Sequence, residues 1–351
     1  MKRPSRIFVE RLACETGRYP LAHAALGERM RGRLEGVDGA EALRKAVALV
    51  FARAEIQEVH HELGPDTVDR VDWRQAVNEA AEALSRRTLA RLEGDPGACD
   101  AFVTVSSSHA GFPSLSRQLQ EQAGFPLDAR CFDLHGAGCS GPAQGLQLAD
   151  LLLRTGAARR VCVLCVDVMG SYGQLRRFSQ PPSMEELVAH CLASDGAAAL
   201  VMSIQPGPHL SYLGLSAHER LWSASLDQNA LAASADNQPY LAVGKNIRTR
   251  LVEETSGWFA ERCSDEVVLM HPGGAALMAR VTEAQPDRAA SVDISRTVLR
   301  EHGNLGAPSV LFVLREALAR RLPLGSRLTL FALGPGIVTT AVTLDALEGA
   351  A

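Results

Sequence analysis

Residues 160–168 read RVCVLCVDV and residues 197–204 read AAALVMSI, two runs too continuously apolar to have one face in water. A strand of this kind is buried on both sides, which requires helices covering both faces of its sheet. Further runs share the character: AFVTV at 101–105, ARCFDL before the glycines at 136–141, EVVLM at 266–270, RLTLFAL and IVTTAVTL near the C-terminus. Helical patterns separate them, from about Ser140 to Arg154 and in PSVLFVLREALARRL, where Pro308 suits a first helical turn. The alternation predicts an α/β chain of two related halves, residues 1–205 and 206–351. The first 60 residues are expected to be helical, with an apolar period in ALRKAVALVFARAEI, whereas 206–240 show weak periodicity.

Composition limits the partners. Net charge is −4 over 351 residues, 46% of them hydrophobic, with none of the clustered cations a general nucleic-acid surface needs. No apolar stretch reaches the roughly 18 residues of a membrane span. The start, MKRPSRIFVERL, lacks the apolar centre of a signal peptide, so the expected location is cytoplasmic. Eight cysteines in a chain this long do not form a disulfide framework. Cys162 and Cys165, three apart on a strand, face opposite ways and are expected to be structural rather than metal ligands. His60 and His61 are expected to form a solvated pair.

The stretch FDLHGAGCSGPAQG at 132–145 raises a sharper question. Gly136, Gly138 and Gly141 permit a tight strand-to-helix turn, and Cys139 stands at the mouth of the following helix. Free N–H groups and the positive dipole end there favour a thiolate. Cysteine is equally one of the most buried residue types, so this stretch alone leaves both readings open. Two other loops bear on it. His271 leaves the strand VVLM on the turn HPGG, and Asn304 lies in HGNLGAPS before a buried helix. Each has an ordinary structural reading, as a core histidine and a turn asparagine. Together they supply what an activated thiol and an oxyanion site need.

With these motifs in hand, the chain resembles the type III polyketide synthases, the chalcone and stilbene synthase family of the thiolase-like superfamily. FDLHGAGCSG resembles the nucleophile turn, LMHPGG the histidine motif and HGNLGAPSVLFVL the asparagine motif; ASDGAAALV at 193–201 and FALGPGIV at 331–338 are similar to two more. The resemblance implies a five-layered αβαβα fold and a homodimer. It implies catalysis by Cys139 as acyl-carrying nucleophile, a protonated His271 holding its thiolate, and His271 with Asn304 binding the enolate of a decarboxylated malonyl unit. Acyl and malonyl thioesters of coenzyme A would be substrates, with no metal and no redox cofactor. Ser107, Ala193, Ser194, Gly306, Gly334 and Pro335 correspond to pocket positions. Phe112 corresponds to a side chain reaching into the partner's pocket, core packing being its other reading. Asp195 is expected to support a turn.

Departures from the family concern the entrance. Ala193 stands where plant members carry a phenylalanine, which should widen the channel, and NALAASADNQ at 229–238 has no aromatic for a second gatekeeper. Gly306 replaces a small hydroxyl residue. Arg53 remains of the basic patch for coenzyme A phosphates, but Gln57, Glu58 and Val59 replace expected cations. An acyl carrier protein as donor, or a single-condensation ketosynthase or acyltransferase, is therefore the alternative. A non-catalytic partner subunit is the third reading.

Overall fold

The computed structural model of the chain describes residues 6–64, 72–175, 178, 180–206, 210–226, 230–233, 239–242, 257, 260–262, 267–320, 327–345 and 348–349. The first part of the chain comprises β1 (Ile7–Thr16), β2 (Tyr19–Ala22), α1 (His23–Arg33), α2 (Ala40–Ala52), β3 (Glu58–His61), α3 (Trp73–Arg91), β4 (Ala101–Ser106) and α4 (Leu115–Gln122). Next come β5 (Arg130–His135), α5 (Gly141–Arg154), β6 (Arg160–Val168), α6 (Met169–Leu175), α7 (Met184–Leu192) and β7 (Asp195–Ser203). Four short strands follow: β8 (Leu210–Tyr212), β9 (Gly214–Leu221), β10 (Ala230–Ala233) and β11 (Pro239–Ala242). The chain then forms β12 (Val267–Met270), α8 (Ala275–Ala284), α9 (Ala289–His302), α10 (Ser309–Ala319), β13 (Leu328–Gly334), β14 (Val338–Asp345) and β15 (Glu348–Gly349).

Two sheets carry the architecture. One has seven strands in the order β15-β8-β1-β7-β6-β4-β5, the other four in the order β12-β13-β14-β9. Alternation along the strands assigns each face. Val161, Val163 and Cys165 of β6 pack into one core with α5, α10 and the other sheet, through Leu269, Leu330 and Val342. Cys162, Leu164 and Val166 point the opposite way, onto Val77, Ala81 and Leu84 of α3 and Leu119 of α4. In the second sheet, Val268, Met270, Phe331 and Leu333 turn away from that centre, onto Met278 of α8 and Val292 and Leu299 of α9. The layers are helix, sheet, helix, sheet, helix: the five-layered αβαβα arrangement. The cysteine pair at 162 and 165 is buried on opposite faces, as expected.

Two expectations fail. Residues 7–16 are not helical; they form β1, paired antiparallel with β7 and β8 at the heart of the larger sheet. A register irregularity between Val9 and Arg11 breaks their alternation, and Glu10 is buried because it pairs with Arg160 at 2.9 Å. His60 and His61 are not solvated but buried, on β3 rather than on a helix. The poorly patterned 206–240 stretch contains β8 to β10, and its longest strand, β9, pairs with β14 at the sheet edge, where half-exposed polar residues are tolerated.

Candidate active site

The turn that carries Cys139 depends on glycines at its tightest points. After β5, Gly136 and Gly138 adopt φ of 77° and 51°. A tight 3-10 turn over Gly138–Ser140 then presents Cys139, half-buried, before α5 begins at Gly141 and Pro142. A Cβ on Gly138 would strike the ring of Pro335, one on Gly334 would strike Ser140, and one on Gly141 would strike Val105. The turn therefore beds directly on the glycine-proline turn between β13 and β14. Its backbone is fixed from a third side, because the Gly138 N–H donates to the Ser107 hydroxyl at 2.8 Å.

His271 is the first residue after β12. Its N–H donates to the Phe331 carbonyl at 2.7 Å, which prolongs the β12–β13 pairing and ties the histidine to the strand that delivers Gly334 and Pro335. The side chain is buried, and its Nδ1 has no hydrogen-bond partner among the described residues. Asn304 lies between α9 and α10. Its N–H donates to the Leu192 carbonyl at 2.8 Å and its carbonyl accepts from Ser194 N–H at 2.9 Å, a bridge that sets it beside Ala193. The side-chain Oδ1 accepts from the Gly306 N–H at 3.0 Å and lies 3.4 Å from the Ser309 hydroxyl. That bonding fixes which end of the carboxamide is oxygen, and it leaves the Nδ2 hydrogens to be offered elsewhere.

Burial acts on both titratable groups of the site. Burial, reinforced by the Asp167 carboxylate, pushes the Cys139 thiol up to about 12. Burial alone pushes the His271 imidazole down to about 4. Loss of hydration thus works against the charged form of each group, and among the described residues no carboxylate is found to offset it at His271.

The other predicted positions separate into distinct roles. Ser107 supports Cys139 through Gly138 and is itself held by Asp167, its N–H donating to Oδ1 at 2.8 Å. Ala193 is buried beside Asn304. Ser194 is buried, with its hydroxyl committed to the His60 backbone at 2.8 and 3.1 Å, so it braces β3. Asp195, pushed up to about 7 by burial, accepts from the backbone of Glu62 and Ser171 and from the Ser171 hydroxyl, the supporting role expected of it. Phe112 is 103% exposed, so core packing is not its role. Arg53 is exposed at the end of α2. Val59, one of the positions that lack a cation, points into the core and could not face a phosphate. Residues 229 and 234–238 of the expected second gatekeeper stretch lie outside the described residues. Asp167 was missed, although an acid inside the otherwise apolar run RVCVLCVDV is a visible signal. Among the described residues no three His, Cys, Asp or Glu side chains group to hold a metal, and no helix is long and apolar enough to cross a membrane.

Comparison with known proteins adds a family match over the C-terminal part of the chain and a fold over nearly all of it. Residues 243–348, which contain His271, Asn304, Gly334 and Pro335, match the family described as chalcone and stilbene synthases, C-terminal domain. Among solved structures, CsyB complexed with CoA-SH superposes with a TM-score of 0.82 at 18% identity, covering 97% of this chain and 100% of that one. PKS-I from the brown alga Ectocarpus siliculosus gives 0.80 at 17% identity, covering 99% of each. The C-terminal type III polyketide synthase domain of Steely1, a type I/III hybrid from Dictyostelium, gives 0.81 at 18% identity, covering 97% of this chain and 99% of that one. At such identities the superpositions speak for the fold.

Proposed function

We propose, from the match of residues 243–348 to the chalcone and stilbene synthase C-terminal domain and from a fold shared with type III polyketide synthases, that this chain is an acyltransferase that forms carbon–carbon bonds. An acyl thioester transfers its acyl group to Cys139. The neutral His271 takes the thiol proton as the sulfur attacks, and the departing thiolate of the donor leaves with a proton. A malonyl thioester then binds beside the acyl-cysteine and loses carbon dioxide. The electrons of the broken carbon–carbon bond pass to an enolate, whose oxygen receives hydrogen bonds from His271 and from the Asn304 Nδ2. The enolate carbon attacks the acyl carbonyl, and the Cys139 thiolate leaves. Donors aimed where charge develops lower the barrier more than donors that hold the substrate alone.

The observation that carries the reading is Asn304: its oxygen is turned back onto Gly306 and Ser309, so it offers only N–H to the site. Intact-mass spectrometry after exposure to acyl thioesters tests the proposal. Cys139→Ala is expected to abolish the adduct. Asn304→Ala is expected to keep it while slowing malonyl decarboxylation by about 10²–10³-fold, the usual loss for one oxyanion donor. A parent protein that takes no acyl group from any donor would falsify the reading. A single extension in place of several would instead favour the ketosynthase alternative.

Coenzyme A thioesters are the proposed donors, with a carrier-protein thioester as the alternative, since Glu58 lies on β3 where a phosphate-binding cation is expected while Arg53 stands exposed at the end of α2. A homodimer is also proposed. Phe112 projects entirely into solvent, and β5, which delivers Cys139, forms an open edge of the seven-stranded sheet. The division into an N-terminal half bearing the nucleophile and a C-terminal half bearing His271 and Asn304 belongs to the same proposal.

A further inference from the structure

Asp167 stands one residue from the end of β6 with no exposed surface, and no lysine or arginine pairs with it among the described residues. Its charge is met by three backbone N–H groups and the Ser108 hydroxyl. Oδ1 accepts from the N–H of Ser107 at 2.8 Å and of Ser108 at 3.1 Å, and Oδ2 accepts from the N–H of Ala307 at 2.8 Å. The two oxygens therefore hold two different loops. One is the loop after β4, whose Ser107 hydroxyl receives the Gly138 N–H next to Cys139. The other is the asparagine loop, where Gly306 N–H reaches back to Asn304 Oδ1. From these contacts we infer that Asp167 is a positioning residue that fixes the nucleophile turn relative to the asparagine loop, and so sets the spacing between the acyl-cysteine and the enolate site.

Two further features support it. A buried carboxylate without a counter-ion is expensive, and a carboxamide of the same shape would be cheaper to bury. A carboxamide has one oxygen, however, and its NH₂ end would face either Ala307 N–H or the Ser107 and Ser108 N–H pair, donor against donor. Only a carboxylate satisfies all three donors. Gly306 is matched to it: φ is 74°, and a Cβ there would stand 2.6 Å from Asp167 Oδ2. The glycine that replaces a family hydroxyl residue is thus the space that lets this carboxylate reach Ala307. The same charge raises the Cys139 thiol, so Asp167 acts on the nucleophile through geometry and through its field.

The inference rests in part on the condensation reading, and the test separates the two. The rate of Cys139 alkylation by iodoacetamide, followed against pH, reports the thiol without any condensation. In Asp167→Asn its midpoint is expected to fall, because the nearby negative charge is gone. With acyl and malonyl thioesters, extension in the same variant is expected to drop by about 10²-fold relative to loading, as for a misplacement near 1 Å. Gly306→Ala keeps the charge but crowds Oδ2. It is expected to lower extension relative to loading with the alkylation midpoint unmoved, and it decides the matter if Asp167→Asn does not fold. A parental ratio of extension to loading in Asp167→Asn or in Gly306→Ala would overturn the clamp, and an unchanged midpoint in Asp167→Asn would overturn its action through charge. If the parent itself never extends malonyl thioester, the condensation reading fails, while the alkylation profile still tests the influence of Asp167 on Cys139.

Discussion

At the scale of single residues, the centre of this protein is a set of ionisable groups kept neutral by dehydration. His271 and His302 are pushed down to about 4 and His61 to about 3, and burial also lowers His23, His60 and His109. Burial favours the neutral imidazole in the fold, so the unfolded chain binds more protons below the usual imidazole value of about 6.5. Their contribution is complete above that value and is lost as pH falls toward 4. For His271, the gap between 6.5 and about 4 is worth roughly 3 kcal/mol at full extent. Asp167 and Asp195, whose carboxyls are raised, act with the opposite sign, but the imidazoles outnumber them. The urea midpoint is accordingly expected to fall steadily between pH 6.5 and pH 4. A midpoint flat over that range would mean these histidines are hydrated or charged in the fold. None of this could be read from sequence, because a histidine's neighbours decide its charge and those neighbours come from other elements.

At the scale of elements, the close approach of the nucleophile turn to the turn after β13 decides how Cys139 is presented. Gly334→Ala would put a methyl against Ser140, and the 3-10 turn carrying Cys139 would have to shift. A stability loss of about 1–3 kcal/mol is expected from overpacking, and acyl loading is expected to slow by about 10²-fold. Urea unfolding and intact-mass loading measure the two effects; parental loading would show that the turn tolerates the shift. The elements themselves were unevenly legible. β6, β7, β12 and β13 announce themselves because both of their faces are buried and their sequences are apolar throughout. β1 hides because its irregularity shifts the register and its buried Glu10 depends on Arg160, 150 residues away. β3 hides because it is four residues long and carries His60 and His61, which read as polar until Ser194 and the rest of the packing bury them.

At the scale of the whole molecule, the motifs pointed to three loops, and only the fold shows what joins them. Sequence spacing could not reveal that Asp167 spans two loops, since its donors lie 60 residues before it and 140 after it. The same scale sets the assembly prediction. Sedimentation equilibrium is expected to give twice the 37.5 kDa of one chain, and Phe112→Asp is expected to weaken that association. A monomer at micromolar concentration would remove the partner's contribution to the pocket.

The two central helices α5 and α10 lie between the sheets, with the Cys139 turn in front of one and the Asn304 loop in front of the other. Elements enclosed in this way open to solvent only when the entire core comes apart, and their amide hydrogens exchange at the rate of global unfolding. Cys139 and Asn304, the groups proposed for catalysis, therefore ride on the slowest-opening part of the molecule. Breathing of the surface can change which substrates reach them, but it does not loosen the chemistry itself.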